Sequence, residues 1–417
     1  METPGRESER GTGSPTWPCE GVSRVPLSIY ADPALHRREQ ERIFSGPFWS
    51  YVGLAAEVPA PGSFVRSAIG ERPVVLTRDL DGRLNVVENR CAHRGVRLCV
   101  LDRGAATDLV CPYHQWTYDL TGALRGVPFR RGVKGRGGMP ADFDPAAHGL
   151  RRLAVHERHG VVFASFDDAV PRFEDFLGEA MLPFFDRVFD GRELRVLGHM
   201  RQSLRGNWKL MFENIKDPYH ASLLHAFLVS FGLFRADQPS AVVLDESGAH
   251  ACLISRRGEQ RASEATSEMR SFRKDMRLED PRLLDPVPEF PGEETVVMQT
   301  LWPNLIVQQQ SNTLATRRLV TRGPEAFELH WTFFGYADDT PEMQRRRLRQ
   351  ANLMGPAGLV SVDDGEMMEL TQSGAAADPG ALALLELGGR GHESAPHMVT
   401  ETAVRGFYHF YRRVMDL

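Results

Sequence analysis

The chain lacks several things, and each shortage removes a class of protein. No stretch approaches the roughly eighteen consecutive apolar residues of a membrane span, so no transmembrane helix is expected. Cysteine is scarce. The five in 417 residues (Cys19, Cys91, Cys99, Cys111 and Cys252) are scattered, which excludes a dense disulfide framework and suits reduced thiols in the cytoplasm. Charge of one sign is not in excess: 50 Lys and Arg stand against 55 Asp and Glu, and a net charge of −5 gives no reason to expect nucleic acid. There is no internal repeat, no GxGxxG fingerprint and no phosphate-binding loop, and Gly388-Gly389-Arg390-Gly391 is not a nucleotide motif. Residues 1–18 are rich in Gly, Pro, Ser and charge and lack the apolar core of a signal peptide, so residues 1–25 are expected as a disordered arm.

Two short segments carry the first chemistry. Asn89-Arg90-Cys91-Ala92-His93-Arg94-Gly95 supplies a Cys-x-His pair, and Cys111-Pro112-Tyr113-His114-Gln115-Trp116 supplies a Cys-x-x-His pair. Two thiolates on one iron and two imidazoles on the other are the ligand set of a Rieske [2Fe–2S] centre. A zinc site uses the same residue types but groups Cys with Cys and His with His, whereas here each loop mixes them. A disulfide that pins the two loops in respiratory Rieske proteins needs a further cysteine in each. Val96 and Tyr113 stand there instead, which points to the oxygenase branch. Cys99 reads as a small buried hydrophobe. Since the chain has no dinucleotide motif of its own, its electrons arrive from another protein.

The organisation comes from patterning. The β-rich runs 73–77, 84–88 and 160–164, with turns at Asp81-Gly82 and Thr121-Gly122, predict a small β domain carrying both ligand loops. The Gly- and Arg-rich stretch 128–144 is expected as a solvated loop, with a docking surface for an acidic electron donor as the alternative. Thr340-Pro341-Glu342 predicts a helix start. Residues 301–319 read as strands. Phe407, Phe410, Tyr411, Val414 and Leu417 recur at helical spacing in a final amphipathic helix. Residues 373–396 are expected as a mobile Gly- and Ala-rich loop.

A second constellation lies downstream: Glu213-Asn214-Ile215-Lys216-Asp217-Pro218-Tyr219-His220, then His225, and later Gly355-Pro356-Ala357-Gly358 before Asp363-Asp364-Gly365-Glu366. Two histidines and one distant carboxylate form the facial triad of a non-haem Fe(II) site, with open positions for dioxygen and substrate. His220 and His225 are five positions apart, which on a regular helix turns the second ring off the face of the first, so the helix must break between them. Taken singly, each residue also has a plain role. Asp217 before Pro218 is a good helix N-cap, the histidines are ordinary half-buried ones, and Asp363-Asp364-Gly365 is a turn.

Taken together, these motifs and their order resemble the large (α) oxygenase subunit of the Rieske non-haem iron ring-hydroxylating oxygenases. The resemblance covers the chain from about Trp17 to Leu417. It implies an α+β fold: an all-β Rieske domain over 48–166 and a catalytic domain over 167–417 with helices on an antiparallel sheet, of the SRPBCC (Bet v1-like) kind. Residues 26–47 are expected as an N-terminal helical segment on the catalytic domain. It implies a [2Fe–2S] cluster on Cys91, His93, Cys111 and His114, and a mononuclear Fe(II) on His220, His225 and Asp364, with Asp363 as runner-up. Asp217 corresponds to the bridging aspartate that links His114 of one subunit to His220 of the next, which implies at least a homotrimer, and an α3β3 assembly if a small β subunit is present. Asn214 stands one residue closer to Asp217 than in naphthalene-type enzymes, so no role is carried over for it. The Lys216–His220 wording, Trp302-Pro303-Asn304-Leu305 and Gly355–Gly358 resemble a subgroup acting on small aromatic acids, with salicylate 5-hydroxylase, anthranilate dioxygenase and terephthalate dioxygenase as its types.

The resemblance implies a mono- or dioxygenase that takes O2 and electrons from NAD(P)H through a separate reductase, with or without a ferredoxin. A carboxylated ring needs a polar or positive partner in the pocket. Gln308, Gln310 and Asn312 are candidates because alternate residues of a strand share a face. Val360 replaces a large aromatic of the naphthalene-type pocket. The competing readings are a Rieske demethylase or an oxygenase of uncharged rings, and a pure Rieske electron carrier, which would leave the second half of the chain unexplained.

Overall fold

Helix caps and strand alternation set the architecture of the computed structural model, which describes residues 17–18, 21–257 and 263–417. Most of the arm expected over 1–25 lies outside the described residues. The remainder of it is packed, not disordered. Trp17, Val22 and Val25 are buried, the Trp17 indole donates to Gly21 O at 2.7 Å, and its ring lies 5.6 Å from that of Tyr408. An aromatic of that size gains more from burial than the segment loses in freedom.

Asp32 caps the helix Pro33–Glu39 by accepting from the N–H groups of Ala34 and Leu35. That helix delivers Glu39, fully buried, to the side chains of Lys209 (2.6 Å), Trp208 (2.8 Å) and Tyr411 (2.5 Å), and so ties the N-terminal segment to the downstream helices.

Three small antiparallel sheets come next. One runs Leu84–Glu88, Arg72–Arg78, Ser63–Ile69, Arg103–Ala105. The second is Asp108–Val110, Thr117–Asp119, Leu124–Gly126, and the third Ala154–Arg158, Val161–Ser165, Ser50–Leu54. The strands expected at 73–77, 84–88 and 160–164 are all present. Gly122 makes its turn with φ +89°, and a Cβ there would meet Val87 at 3.0 Å. Residues 128–144 contain no helix or strand and are mostly exposed.

The second half is built on a seven-stranded antiparallel sheet in the order Leu194–Leu204, Phe327–Tyr336, Thr313–Thr321, Leu305–Gln310, Glu294–Leu301, Ala251–Arg256, Ser240–Leu244. Its strands alternate between two cores. Ile306, Ala315, Leu319, Trp331 and Phe333 join the helices Trp208–Lys216 and Thr402–Met415 on one face. Leu305, Val307, Leu314, Phe334 and Tyr336 pack with Phe163, Phe173 and Phe185 on the other. Thr340 caps the helix Pro341–Met354 as expected.

The loop expected over 373–396 is shorter than that. Residues 373–377 complete the helix Leu359–Ala377, because Ala375, Ala376 and Ala377 favour helix until Pro379. Leu382–Leu384 then pairs with Arg24–Pro26. Asp363, Asp364 and Gly365 are helical too, not a turn. Among the described residues no helix is long and apolar enough to cross a membrane.

Candidate metal centres and the pocket beside them

The two Cys/His loops are the same turn built twice. Gly95 N–H donates to Cys91 O and Cys91 N–H to Val96 O. Gln115 N–H donates to Cys111 O and Cys111 N–H to Trp116 O, each at 2.8–2.9 Å. The fifth residue of each turn is left-handed, Gly95 at φ +74° and Gln115 at φ +57°. The repeat sends both cysteines inward (2% and 1% exposed) and both histidines toward the rim. The imidazoles of His93 and His114 meet with centroids 4.7 Å apart. Trp116 stacks flat on His93 at 4.8 Å, and Tyr113 lies 3.7 Å from His114.

Buried thiols behind surface imidazoles match a cluster whose thiolate iron is inside and whose imidazole iron is at the edge. One supporting residue had no sequence signal. Tyr118 is fully buried, with its hydroxyl 3.3 Å from Cys91 Sγ and accepting from Ala92 N–H at 3.1 Å. A hydroxyl aimed at a sulfur is one of the levers that set a cluster's potential. Cys99 and Cys252 are buried free thiols outside the loops, and burial pushes the Cys99 thiol up to about 11. Cys19 lies outside the described residues.

The second site forms where one helix ends and another starts. The helix Trp208–Lys216 stops at Asp217, which caps the next, Pro218–Leu224, by accepting from Tyr219 N–H (2.9 Å) and His220 N–H (3.4 Å). That helix stops in turn at His225 (φ −90°, ψ 89°), before Ala226–Ser230. This is the break that the five-residue interval requires. It turns His225 back toward His220, with ring centroids 5.4 Å apart.

Asp364 reaches both rings from the helix Leu359–Ala377. Its Oδ1 lies 3.4 Å from His220 Nε2 and 3.1 Å from His225 Nε2, and the three ligand atoms lie within 4.8 Å of one another. The outward nitrogens face carboxylates as well. His220 Nδ1 is 3.4 Å from Asp217 Oδ2, without hydrogen-bond geometry, and His225 Nδ1 is 3.3 Å from Asp363 Oδ2. Asp363 is thus placed behind His225, not among the converging atoms.

The donor set fits a divalent cation. Burial alone would lower the His220 pKa, but the carboxylates of Asp217 and Asp364 raise it to about 10. Burial would raise that of Asp364, but the two histidines hold it well below the usual carboxylate range. The two carboxylates thus draw positive charge to the imidazoles, the charge a divalent cation supplies. Asn214, to which the sequence reading gave no role, donates from Nδ2 to Asp364 Oδ1 at 3.1 Å and lies 3.4 Å from His220 Nε2. Its Oδ1 has no hydrogen-bond partner among the described residues.

A pocket opens beside these three side chains. Ile215, Leu228, Phe234, Leu253, Met298 and Val360 give it apolar walls, and Gln310 and Arg317 add polar groups. Of the candidates on the strand, Gln310 lines the pocket and Gln308 sits behind it, donating to Gln310 Oε1 at 3.1 Å. Asn312 does not line it. The strand ends at Gln310, Ser311 turns at φ +54°, and the Asn312 amide goes instead to Val287 O and Glu289.

Arg317 is the residue the sequence reading missed. It is 5% exposed, lies over the Trp331 ring at 4.0 Å, and donates from Nε and Nη2 to the neutral Gln308 Oε1. It has no carboxylate in ion-pair contact among the described residues. Burial pulls its pKa down to about 9 against the more distant Asp364.

Comparison with known proteins adds an independent line. Residues 190–417 match the family model "Ring hydroxylating alpha subunit (catalytic domain)", and residues 48–136 match "Rieske [2Fe-2S] domain". The chain is 52% identical over 407 residues to the large oxygenase component of salicylate 5-hydroxylase from Ralstonia sp, covering 96% of each. It is 44% identical to the large subunit of anthranilate 1,2-dioxygenase from Burkholderia cepacia, covering 96% of this chain and 95% of that one. To the terminal oxygenase component subunit alpha 2 of terephthalate 1,2-dioxygenase from Comamonas sp it is 42% identical, covering 96% and 97%. Among solved structures, naphthalene 1,2-dioxygenase from Rhodococcus sp. superposes with a TM-score of 0.78 at 24% identity, covering 94% of both chains, a likeness of fold.

Proposed function

The chain belongs to the ring-hydroxylating oxygenase alpha-subunit family, and on that premise we propose that it hydroxylates a small aromatic acid held by its carboxylate at Arg317. The observation that carries the substrate class is a buried guanidinium in the pocket whose only close polar partner among the described residues is a neutral amide. An uncompensated buried charge is costly, and a substrate carboxylate removes the cost by a bidentate pair.

The enzyme is an oxidoreductase with a Rieske cluster and a mononuclear iron. When bound, the cluster supplies single electrons and the iron activates dioxygen. In this reading Cys91, His93, Cys111 and His114 hold the cluster, and His220, His225 and Asp364 hold the iron. Asp217 and Asp363 fix the two imidazoles from behind, as carboxylates behind metal-bound histidines do. Asp217 also receives His114 of the partner subunit, so the active unit is at least a homotrimer, with a small β subunit as a further partner. Asn214 orients the Asp364 carboxylate. Arg317 and Gln310 set the substrate's polar end, and Ile215, Leu228, Phe234 and Val360 exclude water around the ring. The electrons come from NAD(P)H through a separate reductase, with or without a ferredoxin. The domains divide as 26–47, 48–166 and 167–417. Buried free thiols at Cys99 and Cys252 suit a cytoplasmic protein. A pure electron carrier has no use for the triad or its pocket.

Oxygen uptake with a donor system, across a panel of aromatic acids and uncharged rings, tests this reading. Uptake coupled to hydroxylation of a carboxylated ring supports it. Uptake coupled only to uncharged rings or to dealkylation contradicts it.

A further inference from the structure

A second polar cavity, of about 320 Å³, lies on the sheet face opposite the iron pocket. It sits where two sheet edges meet, Arg103–Ala105 of the Rieske-side sheet and Leu194–Leu204 of the catalytic sheet. Strand alternation supplies its deepest charge: Arg317 faces the pocket at His220, and the next residue, Arg318, faces this cavity.

The charges here do not balance. Four arginines (Arg66, Arg103, Arg201 and Arg318) line the cavity against two carboxylates, Glu57 and Asp102. Asp102 is already paired with Arg66 and lies 3.8 Å from Arg201. Glu57 accepts from Leu54 N–H at 2.9 Å and lies 3.7 Å from His199 Nδ1. Arg103 and Arg318 have no carboxylate within ion-pair distance among the described residues. Arg103 donates to His199 Nε2 at 2.6 Å. Arg318 donates to Val52 O and Ser67 Oγ at 2.6 Å and to His330 Nδ1 at 3.1 Å.

Arg318 is 8% exposed, lines the cavity, and its Nε has no hydrogen-bond partner among the described residues. Burial and nearby arginines push His330 down to about 4, and burial lowers His199, so the two imidazoles add no positive charge near neutral pH. Around these groups Tyr51 and Val65 supply apolar wall.

We propose that this cavity is a second binding site that takes a small organic carboxylate, its charge met by Arg318 and Arg103. Guanidinium forks match a carboxylate bidentately, and the apolar wall gives a carbon skeleton burial that a phosphate ion would not use. A ligand there touches both sheet edges at once.

Calorimetric titration of benzoate into the metal-loaded, full-length enzyme tests the proposal. Two binding events per chain are expected, one at each cavity. Arg103→Gln should weaken one event about tenfold or more and leave the other, as expected for losing a charged hydrogen bond. Arg318→Gln should do the same in protein whose circular dichroism matches the wild type. Because Arg103 is exposed on an edge strand, its variant keeps the test independent of folding. Arg317→Gln should weaken only the other event. A wild type in which no event is weakened by Arg103→Gln overturns the proposal, whether one event or two is seen. Inorganic phosphate binding in an Arg103-dependent way, with benzoate excluded, overturns the carboxylate assignment.

Discussion

Asp217 both starts the helix that carries His220 and faces that histidine's ring: Oδ1 caps the backbone while Oδ2 lies 3.4 Å from His220 Nδ1. The cap and the chemical role are therefore separable by mutation. Asp217→Asn keeps the capping oxygen and should leave the melting curve nearly unchanged, while turnover falls about 10- to 100-fold through the loss of charge behind the imidazole. Asp217→Ala should add a stability loss of about 1 kcal/mol. Thermal melts and steady-state rates measured on both variants check the separation.

The positions of Asp363 and Asp364 lead to opposite outcomes for adjacent residues. Asp364→Asn and His225→Ala should each remove the mononuclear iron and leave the cluster's visible absorption intact. Asp363→Asn should retain the iron with affinity lowered about tenfold or more, because it acts through His225 Nδ1. Iron analysis and spectra of the three variants decide it.

Arg317→Gln removes the positive charge from the pocket. Its expected effect is a rise of roughly 10- to 100-fold in KM for an aromatic carboxylate, the value of a charge-assisted hydrogen bond. An uncharged ring should show no such change. Comparing kcat and KM for a carboxylated ring and its uncharged analogue checks this.

Stability should depend on pH through Glu39. Burial opposes its ionisation, but Lys209, His36 and Tyr411 outweigh burial and lower its pKa from 4.5 to about 2. The pair's contribution is therefore present above pH 4.5 and lost as pH falls toward 2. Lys209 is itself lowered by burial, yet its contact with Glu39 at 2.6 Å favours the charged pair. Lys209→Met strands a buried carboxylate and should cost about 3–5 kcal/mol, whereas the double variant with Glu39→Leu should recover much of it. Denaturant titrations over this pH range measure both effects.

The sequence was most informative where chemistry is local. The paired Cys/His turns, the cap at Asp217 and the break demanded between His220 and His225 all come from short-range spacing. It was silent where a contact depends on tertiary register. Asn214 reaches Asp364 across 150 positions, and Tyr118 reaches the Cys91 loop from the strand Thr117–Asp119. Arg317 meets Gln308 only because two strands pair. Asn312 was misplaced for the converse reason. Period-two alternation was extended past Gln310, where the left-handed Ser311 ends the strand.

The central claim is that one chain carries an electron centre and an iron site directed at a carboxylated ring. Metal-loaded enzyme, reduced chemically and mixed with isotopically heavy dioxygen and an aromatic carboxylate, tests it without any electron-transfer partner. The account predicts a ring-hydroxylated acid bearing the heavy oxygen, abolished by His220→Ala and strongly diminished by Arg317→Gln. Failure to label any carboxylated ring, with the cluster reduced and the iron present, would contradict it.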